Sequence, residues 1–348
     1  MPIDENVKRI KLSSNFPYMP IIRQTPNKSG VWGRYRFVLD SDIDANEGVF
    51  DAWIVYNNMP NKKMQMVTCA PERTILIIGE PPSRTELHPD FASQFGKVVT
   101  CLPSFSGPKI LHMQQALPWW VGLRRTGPKL FDAVMGYDEF AALTSIPKTR
   151  NISVICSNLA ITPDHRMRLR FLRRLTRHFG DRIDAFGDGH RPVADKWDAI
   201  APYKYHIAME NSRLNDYWTE KLADSFLGAA MPIYWGCENI NQYFSADSLV
   251  TIDISRPSDA ISIIEQVLAE DPYEKSQTAL WHARRQLLDE YNLFPMLVRL
   301  VDELPKVKAK QCILRPTGDF HPTMKMKIQH WGKITRECVG RSLSKVNK

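Results

Sequence analysis

Arginines are concentrated in the segment 164–179, where six of them fall within twelve residues. Because six guanidinium groups cannot all be buried, we expect most of them on a solvated basic face. Arg166 and Arg168 differ because they lie in the first turn, where the helix dipole and a guanidinium together favour an anion such as phosphate. The buried face of this predicted amphipathic helix is marked by Leu169, Leu172 and Leu175.

A second set of polar residues follows the predicted strand 203–209 and continues into a predicted helix that begins near residue 220. The triplet Glu-Asn-Ser at 210–212 would stand at the carboxyl end of a sheet, where open α/β sheets bind ligands. Thr219 is a good N-cap. Lys221 falls in the first turn, where a cation opposes the helix dipole unless an anion is bound. The sequence therefore predicts an anion site here.

The elements that must position these residues are alternating strands and helices. Strands that alternate with helices twice over predict an α/β protein with two parallel-sheet domains. We predict a first domain over 1–150 and a second over 151–305, with the amphipathic stretch 272–304 either closing the second domain or packing back on the first. The predicted strands are 53–56, 75–79 and 97–102, then 152–156, 183–187, 205–209, 232–236 and 250–254, with helices at 164–179, 219–230 and 258–270.

The positive charge of the chain is concentrated at its end. The 348 residues carry a formal net charge of +8. Residues 306–348 hold eleven basic and two acidic residues, a net charge of +9, so the rest of the chain is close to neutral. This location argues against a nucleic-acid-binding body, and we expect no nucleic-acid partner. The tail mixes its cations with apolar residues, an interfacial composition that predicts peripheral contact with anionic membrane: Met324, Met326, Ile328, Trp331 and Ile334.

The compartment is predicted from what the sequence lacks. It has no run of about 18 apolar residues, no signal-peptide pattern at its start, and six scattered cysteines without a C-x-x-C pair. We therefore expect a cytoplasmic protein, peripheral on the inner face of the membrane.

Three linked motifs occupy residues 203–236. A strand ending in Glu-Asn-Ser is followed by Asp-Tyr-Trp-Thr-Glu-Lys at 216–221 and Pro-Ile-Tyr-Trp-Gly at 232–236. In this order and spacing they resemble glycosyltransferase family 10, the α-1,3/α-1,4-fucosyltransferases, in its bacterial form. The resemblance covers about residues 150–255 and shrinks in the first half to the strand and Gly-Glu at 75–80. It implies the GT-B fold, in which two Rossmann-like domains with parallel sheets face each other across a cleft, and a GDP-fucose donor bound mostly by the second domain.

The resemblance also implies roles for individual residues. Arg168, with Arg166 as the alternative in register, and Lys221 would contact the donor pyrophosphate. Glu220 would hydrogen-bond the donor sugar or ribose. Glu80, at the end of a first-domain strand, would be the general base. The remaining donor-binding positions are Asn211, Tyr217 and Lys196.

The implied reaction is an inverting transfer of L-fucose from GDP-fucose to a hydroxyl of a glycan acceptor. We expect an α-1,3 or α-1,4 linkage on a lipopolysaccharide or surface-polysaccharide precursor. Trp119 and Trp120 are candidates for stacking on the acceptor sugars. Two alternatives remain open: a transferase of the same fold that uses another GDP-sugar, and a non-catalytic derivative that binds glycans or nucleic acid.

We expect no metal site and no required cofactor, because fixed cations can stabilise a departing GDP in place of a metal ion. The segment Asp40-Ser-Asp-Ile-Asp44 contains a D-x-D pattern and opens like a calcium loop. It lacks the glycine and the bidentate glutamate of such a loop, so we expect a polar loop.

Overall fold

The computed structural model describes residues 7–14, 19–81, 87–115 and 118–321. These residues form an α/β protein built around two separate parallel sheets, as the sequence predicts. In chain order the strands are β1 (Lys8–Ser14), β2 (Val31–Trp32), β3 (Tyr35–Leu39), β4 (Ala52–Tyr56), β5 (Gln65–Thr68), β6 (Thr74–Ile78), β7 (Lys97–Thr100), β8 (Ile110–His112), β9 (Leu123–Gly127), β10 (Leu130–Ala133), β11 (Arg150–Ile155), β12 (Asp184–Phe186), β13 (Tyr203–Met209), β14 (Met231–Trp235), β15 (Val250–Thr251) and β16 (Gln311–Leu314).

The helices surround the two sheets. The predicted helices at 164–179, 219–230 and 258–270 are confirmed as α3, α5 and α6, and the stretch 272–304 divides into α7 and α8. In chain order the helices are α1 (Pro89–Ser93), α2 (Tyr137–Ala142), α3 (Pro163–Phe179), α4 (Trp197–Ile200), α5 (Glu220–Leu227), α6 (Pro257–Glu270), α7 (Gln277–Asp289) and α8 (Leu293–Asp302).

The first sheet has the strand order β2-β3-β1-β4-β6-β7-β8 and is parallel except for β2, which runs antiparallel to β3. The central strands β4 and β6 are buried along their whole length. They are continuous apolar runs because helices or loops cover both faces of such a sheet. After β1 the chain first adds β3 on one side of this strand and then adds β4 and the later strands on its other side.

The second sheet has the order β12-β11-β13-β14-β15 and is wholly parallel. Its strands lie where the sequence predicts them, although β15 ends at Thr251, before residue 254. The direction of strand addition reverses between β11 and β13. In doubly wound sheets the crevice outside the carboxyl ends of the strands at this point is the usual ligand site.

The domain boundary predicted at residue 150 does not match the packing. Trp119, Val121 and Phe140 belong to the same buried cluster as the strands of the second sheet. Asp224 in α5 accepts hydrogen bonds from the backbone N–H groups of Trp120 and Val121, at 3.0 and 3.1 Å. The segment from 118 to 149 therefore packs with the second sheet, and the β9–β10 hairpin extends from it.

The end of the described chain packs on the first sheet. Helix α8 inserts Leu293, Phe294 and Leu297 into the same core as β1, β3 and β4. Helix α7 instead packs in the core of the second sheet, so the stretch 272–304 takes both of its predicted placements. Strand β16 pairs antiparallel with β5 and buries Cys312 and Leu314. Residues 306–321 are thus part of the first domain and not of a separate tail, and the predicted tail residues 322–348 lie outside the described residues.

In the described ranges, no helix has both the length and the apolar character needed to cross a membrane.

Replacement of a core residue of α8 tests this placement. Leu297→Ala removes a fully buried side chain from the first-sheet core, so we expect the free energy of unfolding to fall by about 2 to 5 kcal/mol in urea denaturation. The control is Leu130→Ala, whose side chain is 62% exposed and whose replacement should change stability by less than about 0.5 kcal/mol. Equal, small effects in both variants would contradict the anchoring of α8.

Candidate functional site

The site begins with a buried carboxylate at the carboxyl end of β13. Glu210 is fully buried, and its two oxygens accept hydrogen bonds from the backbone N–H of Thr219 at 2.7 Å and from its hydroxyl at 2.6 Å. Thr219 is the N-cap of α5, as the sequence predicts. The carboxylate therefore fixes the start of α5 against the end of β13.

A close approach explains why the motif at 232–236 ends in glycine. A Cβ atom on Gly236 would lie 2.3 Å from Cγ of Glu210 and 2.6 Å from the Tyr234 hydroxyl. Real side chains do not tolerate such distances, so any larger residue here would displace the Glu210 carboxylate. The Glu-Asn-Ser and Pro-Ile-Tyr-Trp-Gly motifs are thus parts of one packing unit.

Charged groups of alternating sign continue from Glu210 along the first turn of α5. The Lys221 ammonium lies 3.6 Å from Glu210 Oε2 and 3.0 Å from Glu220 Oε1, and it donates to the Thr219 hydroxyl at 3.0 Å. The Lys196 ammonium lies 3.8 Å from Glu220 Oε1 and 2.9 Å from Asp224 Oδ2. Two lysines are therefore held among three carboxylates, and these compensate the unfavourable cation at the helix start.

The charges alter the protonation of their neighbours. Burial alone would raise the pKa of Glu220, but the charges of Lys221 and Lys196 outweigh it and lower that pKa to about 2. Burial acts to lower the pKa of Lys221, and the carboxylates of Glu220 and Glu210 reverse this and raise it. Burial raises the pKa of Glu210. The Glu220 carboxylate and the Lys221 ammonium are thus ionised at neutral pH.

Arg168 adds a third cation. It lies in α3, is 4% exposed, and donates from Nη1 to the carbonyl of Met209 at 3.1 Å, at the end of β13. Its buried Nε has no hydrogen-bond partner among the described residues. Burial raises the pKa of the Cys156 thiol, which lies directly after β11. The charges of Arg168 and Lys221 partly oppose this rise. A buried guanidinium with an unused donor beside a lysine is a site for an anion.

Arg166, the alternative to Arg168 in register, does not lie at this site. Arg166 is exposed and donates to the carbonyls of Ala160 and Ile161 at 3.1 and 3.3 Å. It therefore does not join the cluster around Glu210, and the geometry favours Arg168 for an anion at this site.

The two donor-pocket residues predicted before α5 take different positions. Asn211 is half-buried directly after Glu210. Tyr217 is 2% exposed and packs in the core of the first domain. Its loop is held by Asp216, which has a positive φ of 61° and whose carboxylate accepts hydrogen bonds from Asn239 and Tyr243. The loop thus pins the second domain to the first beside the anion site.

Glu80 stands on the opposite side, two residues after β6. The backbone N–H of Gly79 donates to the Asn57 side chain at 2.7 Å, and a Cβ atom on Gly79 would lie 2.4 Å from the Tyr56 hydroxyl. Only glycine therefore fits before Glu80. The structure thus fixes the backbone that carries this carboxylate.

Two buried tyrosines connect Glu80 with the anion site. Burial raises the pKa of Tyr56 and of Tyr217 well above the ordinary value, and the carboxylates of Glu80 and Glu220 raise both further. A charged group changes the pKa of a neighbour appreciably only when the two groups are close together. Glu80 and Glu220 therefore both lie near the same two buried tyrosines.

The adjacent tryptophans Trp119 and Trp120 lie in different environments. Trp119 is 1% exposed and packs edge-on against Phe140 in the core of the second domain. This burial corrects the prediction that Trp119 contacts an acceptor. Trp120 is half-buried, packs edge-on against Phe131 of the β9–β10 hairpin, and has the Lys196 ammonium 5.9 Å from its ring centroid. Trp120 remains a candidate for acceptor contact.

Sequence reasoning missed two members of the cluster. Glu210 was recognised within its motif but given no role, and Asp224 was not recognised. The sequence does indicate Asp224, because it follows Glu220 by four residues in α5 and the two therefore lie on one face of the helix. The role of Glu210 depends on contacts with a loop nine residues away and on the space left by Gly236.

The Asp40–Asp44 segment forms a loop anchored by first-domain cations, as expected for a polar loop. Asp44 pairs with Arg9 at 2.8 Å, and Asp40 lies 3.4 Å from the buried ammonium of Lys11. Within the ranges that the structure describes, no three His, Cys, Asp or Glu side chains are grouped to hold a metal ion.

The chain is similar in sequence and in structure to known proteins. Residues 146–289 match the family model "Glycosyltransferase family 10 (fucosyltransferase) C-term". A putative fucosyltransferase-like protein of Arabidopsis thaliana is 32% identical over 104 residues, 29% of this chain and 20% of that protein. The alpha-(1,3)-fucosyltransferase FucT of Helicobacter pylori is 31% identical over 74 residues, 21% of this chain and 16% of the relative. These two matches thus span a fifth or less of the relatives' own length.

Among solved structures, an alpha1,3-fucosyltransferase crystallised with GDP aligns over 84% of this chain and 94% of its own. The identity is 16% and the TM-score 0.47.

A buried histidine beneath the site gives a test by pH. His206 on β13 is hydrogen-bonded to the Ser153 hydroxyl at 2.8 Å, and burial together with the charge of Lys196 lowers its pKa to about 3. The folded protein therefore holds His206 neutral, and the stability this contributes is complete above about pH 6.5 and is lost as the pH falls towards 3.

Between about pH 7 and pH 5, the wild type should lose about 2 kcal/mol of unfolding free energy more than His206→Gln, which cannot titrate. Urea denaturation at both pH values measures this difference. Parallel losses in the two proteins would show that His206 accepts a proton in the folded state.

Proposed function

We propose that the chain is a glycosyltransferase of family 10, whose model matches residues 146–289, and that it transfers L-fucose from GDP-fucose to a hydroxyl of a glycan acceptor. The observation that carries the proposal is that the motif residues Arg168, Glu220 and Lys221 gather at the end of β13, with Glu80 near the same buried Tyr217 as Glu220. Such convergence supports an intact transferase over a non-catalytic derivative.

In the proposed donor site the pyrophosphate of GDP lies between the two domains at the carboxyl ends of β11 and β13. The unused Nε of Arg168 and the ammonium of Lys221 supply hydrogen bonds and positive charge to its oxygens. When GDP departs, charge grows on the β-phosphate, and cations already fixed by Glu210 and Glu220 stabilise it without reorganisation. The ionised Glu220 accepts hydrogen bonds from sugar hydroxyls.

The proposed reaction inverts the anomeric centre. The Glu80 carboxylate takes the proton of the acceptor hydroxyl while that oxygen attacks C1 of fucose from the face opposite GDP. The new C1–O bond forms as the bond to the β-phosphate oxygen breaks, and the bonding electrons leave on GDP. Glu80 is then a carboxylic acid and returns its proton to solvent. Its position after β6 of the first sheet, with Arg168 and Lys221 at the second sheet, supports this division of labour.

We extend the proposal to an α-1,3 or α-1,4 linkage on a lipopolysaccharide or surface-polysaccharide precursor. Relatives named α-(1,3)-fucosyltransferases, including a bacterial one, support the linkage. Trp120 and Phe131 offer aromatic surface to sugar rings beside Lys196. Product analysis with GDP-fucose, other GDP-sugars and a panel of acceptor glycans distinguishes the fucosyl donor from its alternatives and identifies the linkage.

The proposed setting is the cytoplasmic face of a membrane, where lipid-linked precursors are accessible. The support is the composition of residues 322–348, which carry seven basic residues and one acidic residue.

Substitution on each side of the cleft should separate chemistry from donor binding. Glu80→Gln removes the base, so we expect transfer to fall by about 100-fold to 10,000-fold while the affinity for GDP is unchanged. Lys221→Met removes a charged hydrogen bond to the pyrophosphate, so the affinity for GDP should fall by about 10-fold to 100-fold. Transfer rates and calorimetric titration with GDP measure the two effects.

Exposed residues provide the controls. Glu47→Gln and Lys275→Met change the same side-chain types outside the cleft and should leave both quantities unchanged. Lys221→Arg retains the cation and separates loss of charge from loss of folding. Full transfer activity in Glu80→Gln would exclude its role as the base, and unaltered GDP affinity in Lys221→Met would exclude the pyrophosphate contact.

A further inference from the structure

A stripe of arginines runs along the outer face of α3. Arg166, Arg170, Arg173 and Arg177 follow one another at steps of four, three and four residues, which places them on one side of a helix. All four are exposed, and Arg174 lies beside them. From the first to the last the stripe extends about 16 Å along the helix axis. The opposite side of α3 carries its buried residues, including Arg168.

These arginines lack acidic partners. Among the described residues, Arg170, Arg173, Arg174 and Arg177 form neither an ion pair nor a hydrogen bond to a carboxylate. On the neighbouring helix α6 the exposed Glu265 contacts His178 at 2.7 Å and not an arginine. Unpaired cations at this density repel one another, so their proximity is unfavourable for the isolated protein. An anionic partner would remove this repulsion.

Apolar side chains stand at the start of the stripe. Leu159 and Ile161, in the loop between β11 and α3, are 44% and 51% exposed. This loop follows the carboxyl end of β11, and Arg168 of α3 contacts Met209 at the carboxyl end of the neighbouring strand β13. The apolar end of the surface therefore lies at the same end of the second sheet as the anion site, and the basic stripe leads away from it.

We infer that this surface, formed by Leu159, Ile161 and the five exposed arginines of α3, docks the protein on an anionic lipid bilayer. The cations attract anionic headgroups, each contributing about a fivefold gain in affinity, and the two aliphatic side chains enter the boundary between headgroups and acyl chains. A nucleic acid fits less well, because Phe171 and Phe179 of this helix are buried and offer no ring for a base to stack on. Docking places the cleft beside the lipid surface.

Charge reversal along the stripe tests the surface in the full chain. Arg170→Glu/Arg173→Glu/Arg177→Glu should bind vesicles of equal parts phosphatidylcholine and phosphatidylglycerol at least about a hundredfold more weakly than the wild type in a sedimentation assay. The matched control Lys63→Glu/Lys275→Glu/Arg285→Glu makes the same change in net charge at exposed positions outside α3. It should retain most of the affinity.

A second variant, Leu159→Ser/Ile161→Ser, leaves the charge intact and should also weaken vesicle binding. Calorimetric titration with GDP shows that each variant is folded, and it reports on the proposed transferase site independently. Vesicle affinity that is unchanged by the arginine reversal, or lowered equally by the control, would overturn the inference. Failure of the wild type to bind these vesicles would also overturn it. The same holds if the arginine reversal abolishes binding of a single-stranded RNA oligonucleotide but leaves vesicle binding intact.

Discussion

The buried carboxylate of Glu210 is the contact on which the rest of the site depends. It receives the N-cap of α5 through two short hydrogen bonds from Thr219, and it lies 3.6 Å from the Lys221 ammonium. Burying an ionised carboxylate is costly unless hydrogen bonds and an opposite charge compensate it. Thr219 and Lys221 supply that compensation, so the cations at the start of α5 are held in place before any anion arrives.

The first domain contributes less to the anion site and more to the opposite wall of the cleft. Gly79 allows the Tyr56 hydroxyl to approach the backbone directly before Glu80, and Asn57 holds the same backbone by one hydrogen bond. From the other direction, Tyr217 reaches out of the second domain into the core of the first. Because α8 also returns to the first sheet, chain segments cross between the domains in several places. Glu80 and Lys221 therefore belong to parts of the chain that these contacts hold together.

Much of this arrangement can be predicted from sequence, and the failures have physical causes. The strand–helix alternation reveals both sheets, and the motifs at 210–236 indicate the end of the sheet at which the charges gather. The boundary at 150 was wrong because residues 118–149 interact through tertiary contacts, such as the backbone of Trp120 with Asp224, that leave no periodic pattern. Trp119 was misassigned because adjacent tryptophans look equally available in sequence, and only packing buries one of them. Residues 306–321 carry the charge of a tail, yet the strand pairing of β16 with β5 cannot be inferred from charge.

The central claim is that Arg168 and Lys221, held in place by Glu210 and its neighbours, form a pyrophosphate site. A crystal structure of the full chain with GDP tests it most directly. We expect the pyrophosphate oxygens to lie within hydrogen-bond distance of Arg168 Nε and Lys221 Nζ, with the Glu210–Thr219 contacts unchanged. A pyrophosphate bound to the exposed arginines of α3, or anywhere outside the crevice between β11 and β13, would contradict the claim.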